Sequence, residues 1–471
     1  MIFFRQHKSL VRKRAALWLV SAAFAFPNLL SATEPVLGIK GEIHSSIGIY
    51  IKDIKADTMV FESEADRTLI PASITKALTS ATAMTVLKPD FVFETRVYTS
   101  GNINNGVLSG NLIIKAAGDP TLDSKQFPKN KGFVAKIVKA VKEKGISRIE
   151  GKITLLRVNP DYQYPEGPID HWGIDDTPWT YGAGIFDFNW SDNSFTYCPA
   201  TRSSTPNVPG LECTIWKKPL PSGFNLIRGV YSNNLILTGA DLLTDKKRQV
   251  NTSMPYPFDS FKATLEKELT KAGIKVSDKA LSPQNRSLLL THTSPKLGEI
   301  MKSMMYRSDN MFTEGVFRRF NSTATTYGDI NDALKVEMNL WKDRGLRPEY
   351  ITVYDGSGLS RANQISPRFM GEMLEWMAES DMSSAYVSLF PVAGRSGTMK
   401  NFMADTPLAG RLAMKTGSMS AVQSYAGYLL DSAGRPGYVV VVMANNFFCS
   451  RAALKTAIAK LLLNKLSDKL K

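Results

Sequence analysis

Apolar and polar positions alternate from 45 to 54, with Ile47, Ile49 and Ile51 on one side, and residues 57–62 continue the run after a short turn. That period of two predicts a pair of strands. From 73 to 87 the spacing becomes helical: Ala77, Ala81 and Met84 share a side, and Pro89 ends the run. Strands are predicted at 111–115 and 148–156, and between them a helix over 133–144 carries Phe133, Ile137 and Val141 and is capped by Gly145. Residues 158–225 are rich in Pro, Gly, Asn, Asp and aromatics with little periodicity, which predicts loops. Helical spacing returns with Leu297, Ile300, Met301 and Met304 and again after Met311. Three strands (411–415, 422–430, 438–444) and a last helix (451–466) close the chain.

Two strands near the start and three near the end would build one sheet from both ends of the chain. Residues 92–290 would then be an insertion, expected as two small domains, and 33–91 with 291–471 would form the other body. A chain of 471 residues is too long for one ordinary core, which agrees with that division. No repeat of fixed period and no low-complexity tract interrupts it.

With 43% apolar and 21% charged residues the composition excludes global disorder and a polytopic membrane protein. The net charge of +15 is partly a property of the first residues. Arg5, Lys8, Arg12, Lys13 and Arg14 precede an apolar run from 15 to 30 that is too short to span a bilayer, so residues 1–32 read as a signal peptide. Cleavage after Ala25 or Ala32 would leave a basic exported protein, in the periplasm or cell envelope, with loose attraction to an anionic membrane surface or wall polymer. No Lys/Arg-rich block interleaved with aromatics follows the leader, which points away from nucleic acid. Cys198 and Cys213 flank a turn-rich stretch and are expected to form a disulfide in an oxidising compartment, leaving Cys449 as a buried thiol.

Three short motifs carry chemistry. Ser73 lies at a helix start with Lys76 one turn on, so both side chains share a face. A desolvated lysine near a second cation loses its proton more readily and can then take one from the hydroxyl. Ser308-Asp309-Asn310 lies between two helical runs and offers a hydroxyl and an amide; the same tripeptide recurs as Ser191-Asp192-Asn193 within the loop-rich stretch. Lys415-Thr416-Gly417, with Ser418 next, ends a predicted strand and can hold a carboxylate at a strand edge; Arg395-Ser396-Gly397 is a near-copy without a following strand, and is set aside as a decoy. His44, His171 and His292 are scattered, so no metal site is predicted, and no cofactor is called for.

In that order the three motifs resemble those of penicillin-binding proteins and serine β-lactamases. The long gap between Ser73 and Ser308, together with Gly118-Asp119-Pro120-Thr121-Leu122, Tyr181-Gly182-Ala183 and the run from Asp355 to Ser360, is similar to the D-alanyl-D-alanine carboxypeptidase/endopeptidase family, the class C low-molecular-mass penicillin-binding proteins of the S13 peptidase type. The resemblance implies an α/β (α+β) transpeptidase-like fold with a five-stranded antiparallel sheet flanked by helices and a large inserted α+β region. It implies an acylated nucleophile at Ser73, a general base at Lys76, a proton relay at Ser308 and an amide at Asn310 that steadies Lys76. Lys415 and Thr416 would hold the substrate carboxylate, and the backbone N–H groups of Ser73 and Ser418 would form an oxyanion hole. Peptidoglycan stem peptides would be the substrate and β-lactams the inhibitors. Two rivals share the motifs: a serine β-lactamase, which needs a base for rapid deacylation such as Glu314 or Glu337, and a penicillin- or muropeptide-binding sensor without turnover.

Overall fold

The computed structural model describes residues 35–157, 188–218, 226–228, 232–239, 249–282, 285–321 and 330–470. The expected leader, most of the loop-rich stretch and Tyr181-Gly182-Ala183 lie outside the described residues.

Strands β1 (Ser46–Asp53) and β2 (Thr58–Ser63) form a hairpin that leads into α1 (Thr75–Val86). The middle of the chain supplies β3 (Glu94–Asn104), β4 (Val107–Lys115), α2 (Phe133–Glu143), β5 (Arg148–Ile149) and β6 (Ile153–Leu156). Short strands follow: β7 (Ser194–Cys198), β8 (Ser203–Thr205), β9 (Glu212–Trp216), β10 (Leu226–Arg228), β11 (Asn234–Thr238) and β12 (Val250–Ser253). Helix α3 (Pro257–Lys271), β13 (Lys275–Val276) and β14 (Arg286–Thr293) complete the middle. The returning part consists of α4 (Leu297–Arg307), α5 (Asn310–Phe317), α6 (Ile330–Lys342), α7 (Pro367–Glu379) and α8 (Ser383–Val387), then β15 (Leu412–Met419), β16 (Val422–Leu430), β17 (Pro436–Asn445) and α9 (Arg451–Leu466).

Both ends of the chain meet in one five-stranded sheet of order β15-β16-β17-β1-β2, in which every neighbouring pair is antiparallel. The expected α+β class and antiparallel sheet are therefore found. The join is β1 on β17, where Ile49 pairs with Val442 and Ile51 with Val440, so the isoleucine side of one strand meets a β-branched run of the other. Burial of β1 exceeds the one-sided pattern of its isoleucines, because Gly48 and Tyr50 are buried too. Helix α7 covers that second face closely: a Cβ at Gly48 would come within 2.6 Å of Pro367, and one at Gly371 within 2.4 Å of the Tyr50 ring. Helix α9 spans the sheet, with Arg451 bonded to the Met419 and Val422 carbonyls at one edge and the Lys465 ammonium 4.2 Å from the Phe61 ring on β2.

The core divides into two hydrophobic clusters. One joins Tyr50, Ala77, Leu78 and Phe93 to side chains of α4, α5, α7 and one face of the sheet. The other lies wholly in the middle region and packs α2 and α3 on a sheet of order β13-β5-β4-β3-β14, with β6 beside β4. Its centre is Phe261, whose ring lies 4.9–6.0 Å from those of Phe133, Phe188, Trp190 and Phe258. The clusters touch through the Gly118–Phe127 segment: Phe127 stacks on Phe312 at 5.8 Å, and the absence of a side chain at Gly315 admits Pro120.

The expected Cys198–Cys213 bridge is not formed: both cysteines are in the thiol state, as is the half-buried Cys449. Cys198 ends β7, in a sheet with β8 and β12, and Cys213 belongs to β9, in a sheet with β10 and β11. The two cysteines are neighbours, but the Cys213 thiol is engaged by the hydroxyl of Tyr197, next to Cys198, rather than by the Cys198 sulfur. Among the described residues no helix is long and apolar enough to cross a membrane.

Candidate active site

The site begins with a backbone constraint. Ala72 adopts φ +49°, a left-handed conformation that costs a residue with a Cβ about 1 kcal/mol, and a 3-10 turn over Ala72–Ile74 then feeds α1. The turn is clamped from both sides. Asn445 at the end of β17 bonds the Ile70 N–H and C=O at 2.7 and 3.2 Å, and the Thr75 hydroxyl donates to the Ala72 carbonyl at 2.9 Å. Ser73 thus stands, partly exposed, at the start of an otherwise buried helix.

One turn further, Lys76 is fully buried and its Nζ reaches three acceptors: Ser73 Oγ at 3.1 Å, Asn310 Oδ1 at 2.7 Å and the Ser357 carbonyl at 2.6 Å. Burial pulls its pKa down to about 8, against the opposing pull of the Asp355, Glu314 and Asp309 charges. Asn310 is delivered by a tight reversal. Ser308 takes φ +60° after α4, and Asp309 caps α5 by accepting the Phe312 N–H at 3.0 Å. Burial raises the Asp309 carboxyl.

The opposite wall is β15. Lys415 is also fully buried, with Nζ 2.9 Å from Ser308 Oγ and 2.8 Å from the Thr416 carbonyl. Burial, and then the charge of Lys76, push its pKa well below the ordinary lysine range. Gly417 is required by proximity: a Cβ there would lie 2.5 Å from the Pro71 carbonyl and 3.1 Å from the Ser73 nitrogen. The Thr416 hydroxyl bonds Thr398 Oγ1 at 2.9 Å, and the Ser418 hydroxyl donates to Gln423 Oε1 at 2.9 Å.

Residues 355–360 form the floor. The Asp355 carboxylate accepts the N–H groups of Gly358 and Ser360 at 2.7 and 2.6 Å, while Glu314 accepts those of Ser357 and Gly356 at 2.7 and 3.3 Å. Burial, followed by the neighbouring Asp355, raises Glu314 to about 8. Gly358, at φ +76°, lets this loop press against the Ala72 carbonyl, which a Cβ would meet at 2.0 Å.

Ser73, Ser308, Thr416 and Ser418 therefore line one cavity of about 450 Å³, and Lys76, Asn310 and Lys415 bond to its serines or to one another. All seven residues that the motifs single out come together. Sequence reasoning missed three others. The run from Asp355 to Ser360 is singled out as a turn near the site, but the role of the Ser357 carbonyl is invisible because any residue type carries one. Gln423 bears no motif. Thr398 follows the segment set aside as a decoy, yet Gly397 and Thr398 line the cavity. The second Ser-Asp-Asn, at 191–193, lies elsewhere, in a turn where Asp192 accepts from the Ser124 hydroxyl. Glu337 is buried with Thr82, which bonds it at 2.9 Å, so neither it nor Glu314 lines the cavity. A larger, mostly apolar recess of about 730 Å³ lies beside α2, α3 and Trp190, without any of these groups. Among the described residues no cluster of three or more His, Cys, Asp or Glu side chains could hold a metal.

The chain matches the model of the D-Ala-D-Ala carboxypeptidase 3 (S13) family over residues 36–205 and 220–465. It is 27% identical over 439 residues to the D-alanyl-D-alanine carboxypeptidase DacB of Haemophilus influenzae, covering 88% of this chain and 89% of that one. A D-alanyl-D-alanine carboxypeptidase of Actinomadura sp. is 24% identical over 426 residues, covering 84% of this chain and 77% of the other. The crystal structure of penicillin binding protein 4 (dacB) from Haemophilus influenzae superposes with a TM-score of 0.72 at 23% identity, over 90% of this chain and 96% of that one, and supports the same fold. With its fold and nearly its whole described length accounted for in this way, the chain belongs to the D-Ala-D-Ala carboxypeptidase 3 (S13) family, and is an enzyme of the serine D-Ala-D-Ala carboxypeptidase type.

Proposed function

We propose that the chain is an exported serine DD-peptidase that cleaves D-Ala-D-Xaa bonds of peptidoglycan stem peptides through an acyl-enzyme on Ser73, with residues 33–91 and 291–471 as the catalytic body and 92–290 as its insertion. The observation that carries this reading is the fully buried Lys76 amine within hydrogen-bond reach of both Ser73 Oγ and Asn310 Oδ1. In its neutral form that amine takes the Ser73 proton as Oγ attacks the carbonyl carbon. The oxyanion is met by the N–H groups of Ser73 and Ser418, each donor worth roughly 3 kcal/mol. As the C–N bond breaks, Ser308 gives its proton to the departing amine and is resupplied by the Lys415 ammonium bonded to it. A free Lys415 is driven toward neutrality by burial and by Lys76, so an arriving substrate carboxylate, held with Thr416, restores its charge at the moment it is needed. Water then hydrolyses the ester.

Export is supported by the basic and apolar order of the first 30 residues. Inhibition by β-lactams is supported by the solved complex of penicillin binding protein 4 from Haemophilus influenzae with a novel β-lactam. Because Glu314 and Glu337 are engaged away from the cavity, release of a penicilloyl group is expected to be slow, which separates this reading from a β-lactamase. Intact mass spectrometry with benzylpenicillin tests the proposal: one adduct, mapped to Ser73 and absent in Ser73→Ala, is expected. Labelling of another side chain, or D-alanine release from a stem pentapeptide by Ser73→Ala, would overturn it.

A further inference from the structure

The cavity extends beyond the reacting groups. From Thr416 it passes Thr398 to Lys400, and along the neighbouring strand it passes Tyr425, the register partner of Thr416, to Lys455 on α9. Phe402 stacks on Tyr425 at 4.8 Å, and the pair lines the same cavity as the two lysines. Lys455 lies one helical turn beyond Arg451, which is tied to Gln423 Oε1 at 2.9 Å, so the helix presenting it is anchored to the site. No acidic side chain lines the cavity, and among the described residues neither lysine has an ion-pair partner. Two cations carried by separate elements thus stand without countercharge in the cavity that Thr416 lines, one of them two residues beyond the Thr398 that bonds Thr416.

We propose that Lys400 and Lys455 form an anion subsite for the leaving half of the substrate, selecting peptides in which the residue after the scissile D-Ala bond carries a second carboxylate in addition to the one taken by Lys415 and Thr416. The inference rests on the peptidase reading above, since that reading makes the Thr416 side the leaving-group side. An acidic leaving segment gains attraction to both ammonium groups, a neutral one does not, and a cationic one is repelled. The apolar stack accommodates the methylenes that separate the two carboxylates.

Three substrates with one acyl half ending in D-Ala, followed by D-Glu, D-Gln or D-Lys, test it alongside a D-Ala-D-Ala control. The expected kcat/KM order is D-Glu above D-Gln above D-Lys, with D-Glu about tenfold over D-Gln at low salt, as two exposed charge pairs allow. That ratio should collapse at about 1 M salt, where charges are screened within roughly 3 Å. In the double variant Lys400→Gln/Lys455→Gln the D-Glu to D-Gln ratio should approach one, and Lys455→Glu should shift preference toward D-Lys. Acylation of each variant by benzylpenicillin reports that its site is folded. Equal cleavage of D-Glu and D-Gln by the unaltered protein would sink the subsite and leave the peptidase reading standing, whereas failure to cleave even D-Ala-D-Ala would sink the peptidase reading and the subsite with it.

Discussion

The region built from both chain ends and the middle region spend burial differently. In the former, two lysines are fully enclosed, and their charges are met by hydroxyls, an amide and backbone carbonyls rather than by direct ion pairs. In the latter, no described lysine or arginine is fully buried, and aromatic rings converge on Phe261. Enclosing an ammonium without a paired carboxylate is costly, and that cost is what lowers the proton affinity of Lys76. The contrast teaches that reactivity is held where the fold tolerates unfavourable burial, while the middle region uses favourable burial for stability.

That contrast can be broken in four ways, in falling order of effect. Ser73→Ala should reduce D-alanine release from a stem pentapeptide by about 10⁴-fold or more while moving the melting temperature by no more than a degree or two, because it deletes one partly exposed hydroxyl. Phe261→Ala should do the opposite: a loss of roughly 3–5 kcal/mol in denaturant unfolding, with the penicillin acylation rate of the remaining folded molecules little changed. A loss of acylation in parallel with stability would show that the two regions are not separable.

The third test is pH. If the neutral Lys76 amine is the base, as proposed, the kcat/KM for D-alanine release should climb about tenfold per unit below pH 8 and level off above it. Stability should respond in the range above it. Below about 8 Lys76 is protonated both folded and unfolded and its burial penalty is fully present; as pH rises toward 10.5 the native state holds fewer protons than the unfolded one, so stability contributed by this group rises. A profile centred near the ordinary lysine value would remove Lys76 as the base. The smallest effect is expected at the cysteines: unfolded, unreduced protein should titrate all three thiols, and Cys198→Ser should shift the melting temperature by less than about 2 °C.

The sheet was legible because its strands carry their own signals, notably the run Val439-Val440-Val441-Val442, which fits only a strand covered on both faces. The site was legible where chemistry is written in contiguous side chains, as in Ser73 with Lys76 and Ser308 with Asn310. It was illegible where the partner is a backbone carbonyl, as at Ser357, or where a loop folds back on a distant segment. Thr398 is of the second kind: Ser396 turns its chain by accepting the Val392 N–H at 2.9 Å, and nothing local says which strand the turn will face. The cysteines are a similar case: their spacing brings them near each other but does not decide which group each thiol meets, and Cys213 meets the Tyr197 hydroxyl.

The pairing of β1 with β17 also sets a timetable. The hairpin that precedes Ser73 leaves the ribosome first, yet the strand beside it and the Asn445 clamp on its turn arrive almost last, tens of seconds later at ordinary synthesis rates. A nascent or truncated chain therefore holds Ser73 without the cleft around it until its final strands are delivered. Late assembly of the cleft is thus written into strand order.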